Sequence, residues 1–173
     1  MIDSGRCTVQ QGDVSDLQFR ENSFDLATAF ETIYFWPGLE RCFAQVAKIL
    51  KQGGYFLICN ESDGEDADGR KFEGIIDGMT CYTPEQIEVA LKKAGFSEIT
   101  TDHHPGKPWI TVLARNHPAF SISISLQRSE ITSLSLCFFR LSSKSFCTSC
   151  NLSYSAVWIF LPTGHRGFVL SWK

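Results

Sequence analysis

The run from Gly12 to Trp36, GDVSDLQFRENSFDLATAFETIYFW, constrains the fold more than any other stretch. It reads as the end of one strand, an acidic turn, a polar loop and a second, nearly all-apolar strand. An amphipathic helix and a further apolar strand follow, reaching Glu61. Strands that alternate with helices, and that are apolar on both faces, specify a parallel α/β sheet with crossover helices.

In chain order, Cys7 to Gln11 is β-prone and opens into Gly12-Asp13, which puts the aspartate at a strand's carboxyl end. Phe24 to Phe30 is the second strand. Pro37-Gly38 starts a helix whose stripe is Leu39, Cys42, Phe43, Val46, Ile49 and Leu50, and Gly53-Gly54 stops it. Tyr55 to Cys59 is a third strand, ending in the polar cluster Asn60-Glu61-Ser62-Asp63. The acidic, glycine-rich insertion from Gly64 to Gly78 carries Phe72, Ile75, Ile76 and Met79 at helical spacing, as a lid over a crevice or as a packed connection. Thr83-Pro84-Glu85-Gln86 is a capping box that opens a helix closed by Gly95. Phe96 to Asp102 and Trp109 to Arg115 then pair as an antiparallel hairpin.

Beyond Asn116 the texture changes. Residues 1–118 hold 18 acidic and 11 basic residues, whereas 119–173 hold one acid, five bases, 13 serines and three cysteines. The expected organisation is a partial domain over 1–116 and a Ser/Cys-rich tail over 117–173 with no recognisable fold. The acidic first part has no electrostatic footprint for nucleic acid. No apolar run reaches the roughly 20 residues of a membrane span and no signal peptide is read, so no membrane partner is expected and the expected location is cytoplasmic. The cysteines are then free thiols.

Three sets of residues resemble the class I S-adenosylmethionine-dependent methyltransferases, in particular the small-molecule group called type 11. They are Gly12-Asp13-Val14 with Asp16-Leu17 and Phe19, then Ser23-Phe24-Asp25-Leu26, then Leu50-Lys51-Gln52-Gly53-Gly54-Tyr55-Phe56. Ala94-Gly95-Phe96 and the final strands resemble that fold's closing elements. The resemblance implies a Rossmann-like α/β sheet of order 3-2-1-4-5-7-6, with Cys7 to Gln11 as strand 3, Phe24 to Phe30 as strand 4 and Tyr55 to Cys59 as strand 5. The family's first two strands and its glycine-rich cofactor turn would precede Met1, so the sequence reads as N-terminally truncated, with the bare edge of strand 4 open to self-association. The cofactor implied is S-adenosylmethionine and the partner a small-molecule methyl acceptor. By resemblance Asp13, Val14, Ala29, Phe30 and Glu31 contact the cofactor.

An in-line methyl transfer needs positioning and exclusion of water more than a particular triad, although a general base serves some acceptors. The candidates for a base are Glu31 and His103, with His104 and Glu61 as others. Tyr34, Trp36 and Glu61 are candidate acceptor contacts. Asp13 could instead close an Asx-turn, and Tyr34 and Trp36 could pack the loop onto the helix. No metal is expected: Gly64 and Ile75 stand where a calcium loop's first and twelfth ligands belong, and Cys147 and Cys150, with only His165 downstream, lack the second pair of a zinc site. The leading function is methyl transfer to a small molecule; the alternative is a non-catalytic fragment acting as a binding or interaction module.

Overall fold

The structure is a computed structural model, and it describes residues 7–116, 156–160 and 167–172. Strand β1 (Cys7–Gly12) and strand β2 (Phe24–Phe30) are followed by a 3-10 turn at Ile33–Phe35 and helix α1 (Leu39–Ile49). Then come β3 (Leu50–Asn60), α2 (Ala67–Glu73), α3 (Pro84–Lys93), β4 (Phe96–His103) and β5 (Ile110–Asn116), with β6 (Ala156–Phe160) and β7 (Gly167–Trp172) last. The strands form one mixed sheet in the order β1-β7-β6-β2-β3-β5-β4. This is the Rossmann-like α/β arrangement expected from the sequence, closed at one side by the antiparallel pair β4 and β5.

β2 and β3 are parallel because α1 carries the chain back across the sheet. The stripe Leu39, Cys42, Phe43, Val46 and Ile49 is buried, which drives α1 onto the sheet. Gly38, at φ 81, supplies the left-handed turn that enters it. The main core lies on the α1 and α3 face, where Phe43, Phe56, Ile58, Ile87, Leu91, Ile110 and Val112 are all at or near zero exposure. The opposite face holds a smaller cluster of Leu57, Cys59 and Leu113, with Leu26, Phe30 and Tyr55 against it.

Several local expectations shift. Leu50 is not in the helix: it has extended backbone, and β3 begins there and runs through Gly53 and Gly54. Helix α2 ends at Glu73, so the spacing Phe72, Ile75, Ile76 is not a packed helical stripe; those side chains are 46%, 67% and 40% exposed. The edge of β2 is not bare. Within the stretch read as an irregular tail, β6 lies parallel to β2 and antiparallel to β7, and β7 lies antiparallel to β1. Among the described residues, that edge is occupied by β6.

The capping box is formed. Thr83 accepts from the Gln86 N–H, and the Gln86 side chain accepts from the Thr83 N–H at 2.9 Å. The insertion is held by Gly64, where φ is 76 and a Cβ would sit 2.7 Å from the Tyr82 carbonyl carbon. Gly64→Ala is therefore expected to cost about 1 to 3 kcal/mol, read as a fall in Tm, because left-handed strain and a backbone clash coincide.

Candidate functional site at the carboxyl rim of the sheet

β1, β2, β3 and β4 all run in one direction, so Gly12, Phe30, Asn60 and His103 end on one rim. In an open α/β sheet this rim is where ligands bind.

Glu31 is the centre of the rim. It follows β2 at φ 54, a left-handed conformation that a glutamate adopts only when its surroundings hold it there. Its N–H donates to the Cys59 carbonyl at 3.0 Å and its Oε1 accepts the Glu61 N–H at 2.6 Å, so the ends of β2 and β3 are stapled through one residue. Surrounding protein desolvates the carboxyl, and the Glu61 charge adds to this; together they outweigh the Glu61 N–H and raise it from 4.5 to about 7. Glu31 as a whole residue is exposed, so water at its open side screens it from the larger shifts of a fully enclosed carboxyl.

Tyr34 is 4% exposed and its hydroxyl accepts the Ser62 N–H at 3.1 Å. Burial, and then the nearby Glu31, push that hydroxyl above its ordinary range, so it stays protonated. Ser62 in turn donates to Asp66, which caps α2 by accepting the Gly69 N–H at 2.7 Å. The insertion is thus tied to the rim through Tyr34 and Ser62, and the Thr80 N–H donating to the Tyr34 carbonyl at 2.9 Å ties it a second time.

Asp13 is exposed, and its Oδ1 accepts both the N–H and the hydroxyl of Ser15 at 2.8 Å. These two bonds hold the carboxyl below its usual range and keep it ionised. The Asx-turn considered for this residue is therefore formed. Both bonds fall on Oδ1. Val14 is 5% exposed within the main core, Ala29 is fully buried, and Phe30 packs on the smaller cluster.

Two candidates are displaced. Trp36 is core, not a wall of the site: it is 3% exposed, stacks on Phe56 at 6.2 Å and meets Phe43 edge-on at 5.8 Å. His103 shares the rim but lies three strands from β2, roughly 14 Å at the usual strand spacing, too far to work with Glu31 on one small group. The His104 N–H donates to the Trp109 carbonyl at 2.9 Å in the β4 to β5 turn. Glu61 is exposed beside Glu31.

Asn60 does not stand out in the sequence as a site residue. It is fully buried at the end of β3, and neither atom of its amide has a partner among the described residues; the Thr32 hydroxyl and the Trp36 indole N–H are in the same condition. The polar cluster at the strand's end points to the place but not to a buried amide. Among the described residues no group of His, Cys, Asp and Glu could hold a metal ion. Cys147, Cys150 and His165 lie outside the described residues.

Residues 2–58, which include Asp13 and Glu31, match the family described as "Methyltransferase domain". The family match, the relatives and the fold support a class I S-adenosylmethionine-dependent methyltransferase. The chain is 31% identical to the cycloartenol-C-24-methyltransferase of Arabidopsis thaliana over 131 residues, 68% of this chain and 38% of that one. It is 34% identical to the sterol 24-C-methyltransferase of Debaryomyces hansenii over 95 residues, 50% of this chain and 25% of that one. The chain therefore spans well under half the length of these curated relatives. An S-adenosylmethionine-dependent methyltransferase of Thermotoga maritima superposes with a TM-score of 0.51 at 24% identity, over 61% of this chain and 62% of that one, which shows the fold. S-adenosylmethionine is the family's methyl donor.

Proposed function

We propose that this methyltransferase moves a methyl group from S-adenosylmethionine to a small acceptor, and that the acceptor is largely apolar, of the sterol class. The observation that carries the reading is the character of the rim: a carboxyl raised to about 7, Glu31, on the loop that leads into exposed apolar side chains. Phe35, on the turn that follows β2, is 41% exposed, and Phe72, Ile75 and Ile76 of the insertion are exposed as well. The Thr80 to Tyr34 bond joins the insertion to that turn. Exposed apolar area at a ligand-binding rim suits a hydrocarbon skeleton better than an amino acid. Several relatives are named as sterol methyltransferases, and one, from Halorhodospira halochloris, as a sarcosine/dimethylglycine N-methyltransferase.

The residues present fit the cofactor at two points. Asp13, ionised and exposed at the end of β1, suits an amino group such as that of adenine. Glu31, three strand positions along the same rim, suits the neighbourhood of the sulfonium at the other end of an extended cofactor. Held between these residues, the cofactor would supply an electrophilic methyl group that carries its own leaving group. Glu31 receives the proton that the acceptor loses when its new bond to carbon forms. With a carboxyl near pH 7, that acceptance is well matched to neutral solution. Tyr34 holds the loop carrying Ser62 in place, and the exposed apolar side chains Phe72, Ile75 and Ile76 of the insertion keep water from the acceptor. Cytoplasmic placement belongs to the same reading, and among the described residues no helix is long and apolar enough to cross a membrane.

Titration calorimetry with S-adenosylmethionine, followed by transfer of a labelled methyl group to a sterol or to sarcosine, tests this. Asp13→Ala is expected to weaken cofactor binding by about tenfold, the value of one hydrogen bond to a charged group. Faster methylation of sarcosine than of the sterol would overturn the acceptor class. No detectable cofactor heat would leave the non-catalytic binding module as the remaining reading.

A further inference from the structure

The sheet is continuous only because two strands from the far end of the sequence lie in its middle. β6 is parallel to β2, with Leu26 opposite Ala156 and Ala29 opposite Ile159. β7 is antiparallel to β1, with Cys7 opposite Trp172 and Gly12 opposite Gly167. β6 and β7 pair with each other from Ala156 and Trp172 to Phe160 and Phe168. Among the described residues β1 has no other strand partner, and β2 has none on its second side.

We infer that Ala156–Phe160 and Gly167–Trp172 form an intramolecular complementing pair, whose docking site is the two-strand slot between β1 and β2. The backbone of β1 presents one row of donors and acceptors to the slot and β2 presents the other, and a sheet edge of this kind captures an extended segment by main-chain hydrogen bonds. Both segments have the composition of inserted strands, since AVWIF and GFVLSW are dominated by β-branched and aromatic residues with no charge among them. The order of pairing also has a consequence at the rim. Phe160 falls level with Phe30, and Gly167 falls level with Gly12, so the pair spans the distance between the strand ends that carry Asp13 and Glu31. Those two residues share one rim only while the slot is filled. That last consequence rests on the reading of Asp13 and Glu31 as cofactor residues; the strand pairing itself does not.

Register provides the test on the full chain. Opposed residues of an antiparallel pair have Cα atoms about 4.5 to 5.5 Å apart, within the span of a disulfide. Trp172→Cys places a thiol opposite the native Cys7, and Ser171→Cys places it one register position away, opposite Thr8. After mild oxidation, peptide mapping of the monomer is expected to find the Cys7 link in the Trp172→Cys variant at least several-fold above the Ser171→Cys variant. Equal yields, no link, or a link found only between two copies would overturn the proposal. A second variant, Val169→Pro, removes a ladder N–H from β7 and is expected to strip hydrogen-exchange protection from Thr8 to Gln11. Unchanged protection there would overturn it as well. S-adenosylmethionine affinity is measured alongside on the Val169→Pro variant: lost protection without any change in affinity would sink the cofactor reading of the rim and leave the strand pair standing.

Discussion

Glu31→Gln is expected to slow methyl transfer by about 10²- to 10⁴-fold, the range attached to loss of a positioned proton acceptor. The amide keeps the size of the side chain, and its oxygen still accepts the Glu61 N–H, so the staple between the ends of β2 and β3 survives. What disappears is the group that, on the proposed function, takes the proton. The pH profile separates this from a structural effect. With the carboxyl at about 7, the rate of the unmodified chain is expected to climb tenfold per pH unit below 7 and to level off above it. The Gln variant is expected to lose that limb. Stability carries the opposite sign. Because the folded-state value is raised above 4.5, the folded chain binds the proton more tightly than the unfolded chain, and stability falls as pH rises from about 4.5 through about 7. Glu31→Gln removes that penalty, so its melting temperature relative to the unmodified chain is expected to be higher at pH 8 than at pH 5. A Gln variant with full rate and an intact acid limb would remove Glu31 from the chemistry.

Phe56→Ala is expected to cost about 3 to 5 kcal/mol, enough to leave a domain of ordinary stability largely unfolded at 37 °C. Phe56 is fully buried on β3, stacks on Trp36, meets Phe43 edge-on at 5.4 Å and touches Phe96 at 5.7 Å. Its ring therefore joins the turn after β2, helix α1, strand β3 and strand β4. Four elements converge on it, so the cavity left by alanine cannot collapse from one side. Chemical denaturation monitored by tryptophan fluorescence measures the loss, since Trp36 lies against the deleted ring. Phe72→Ala, by contrast, removes an exposed ring and serves as the control; equal midpoints for the two variants would contradict the core as described.

The alternation of strand and helix is legible in the sequence because each element announces itself locally: the α1 stripe, the Thr83 capping box, the Gly95 stop and the β4 to β5 hairpin all depend on neighbours within a few residues. Leu50 reads as helical because it continues the stripe in phase with Val46 and Ile49, and only the extended backbone that starts at that residue separates it. Trp36 is ambiguous for a different reason. An aromatic after a strand end fits a ligand wall and a core equally well until its partners Phe43 and Phe56 are known. At the site, the place of Glu31 is readable from the end of β2, but its φ of 54 and its bond to Glu61 come from the meeting of two strands far apart in sequence. The pairing of β7 with β1 lies beyond local reading altogether, since register between distant segments leaves no mark on either.

The position of β7 between β1 and β6 also dictates when the molecule can finish folding. Its partner β1 is the first described strand to be synthesised, and β7 is the last. At typical rates of about 5 to 20 residues per second, β1 waits roughly 10 to 30 s before β7 exists. Helices α1 and α3, with β3, β4 and β5, can assemble on local contacts meanwhile, while β2 presents an open ladder to whatever else is in solution. Closing the sheet is then a late, high-contact-order step. Until β7 arrives, the edges of β1 and β2 that face the slot are open to pairing with another chain, a hazard that the finished sheet removes.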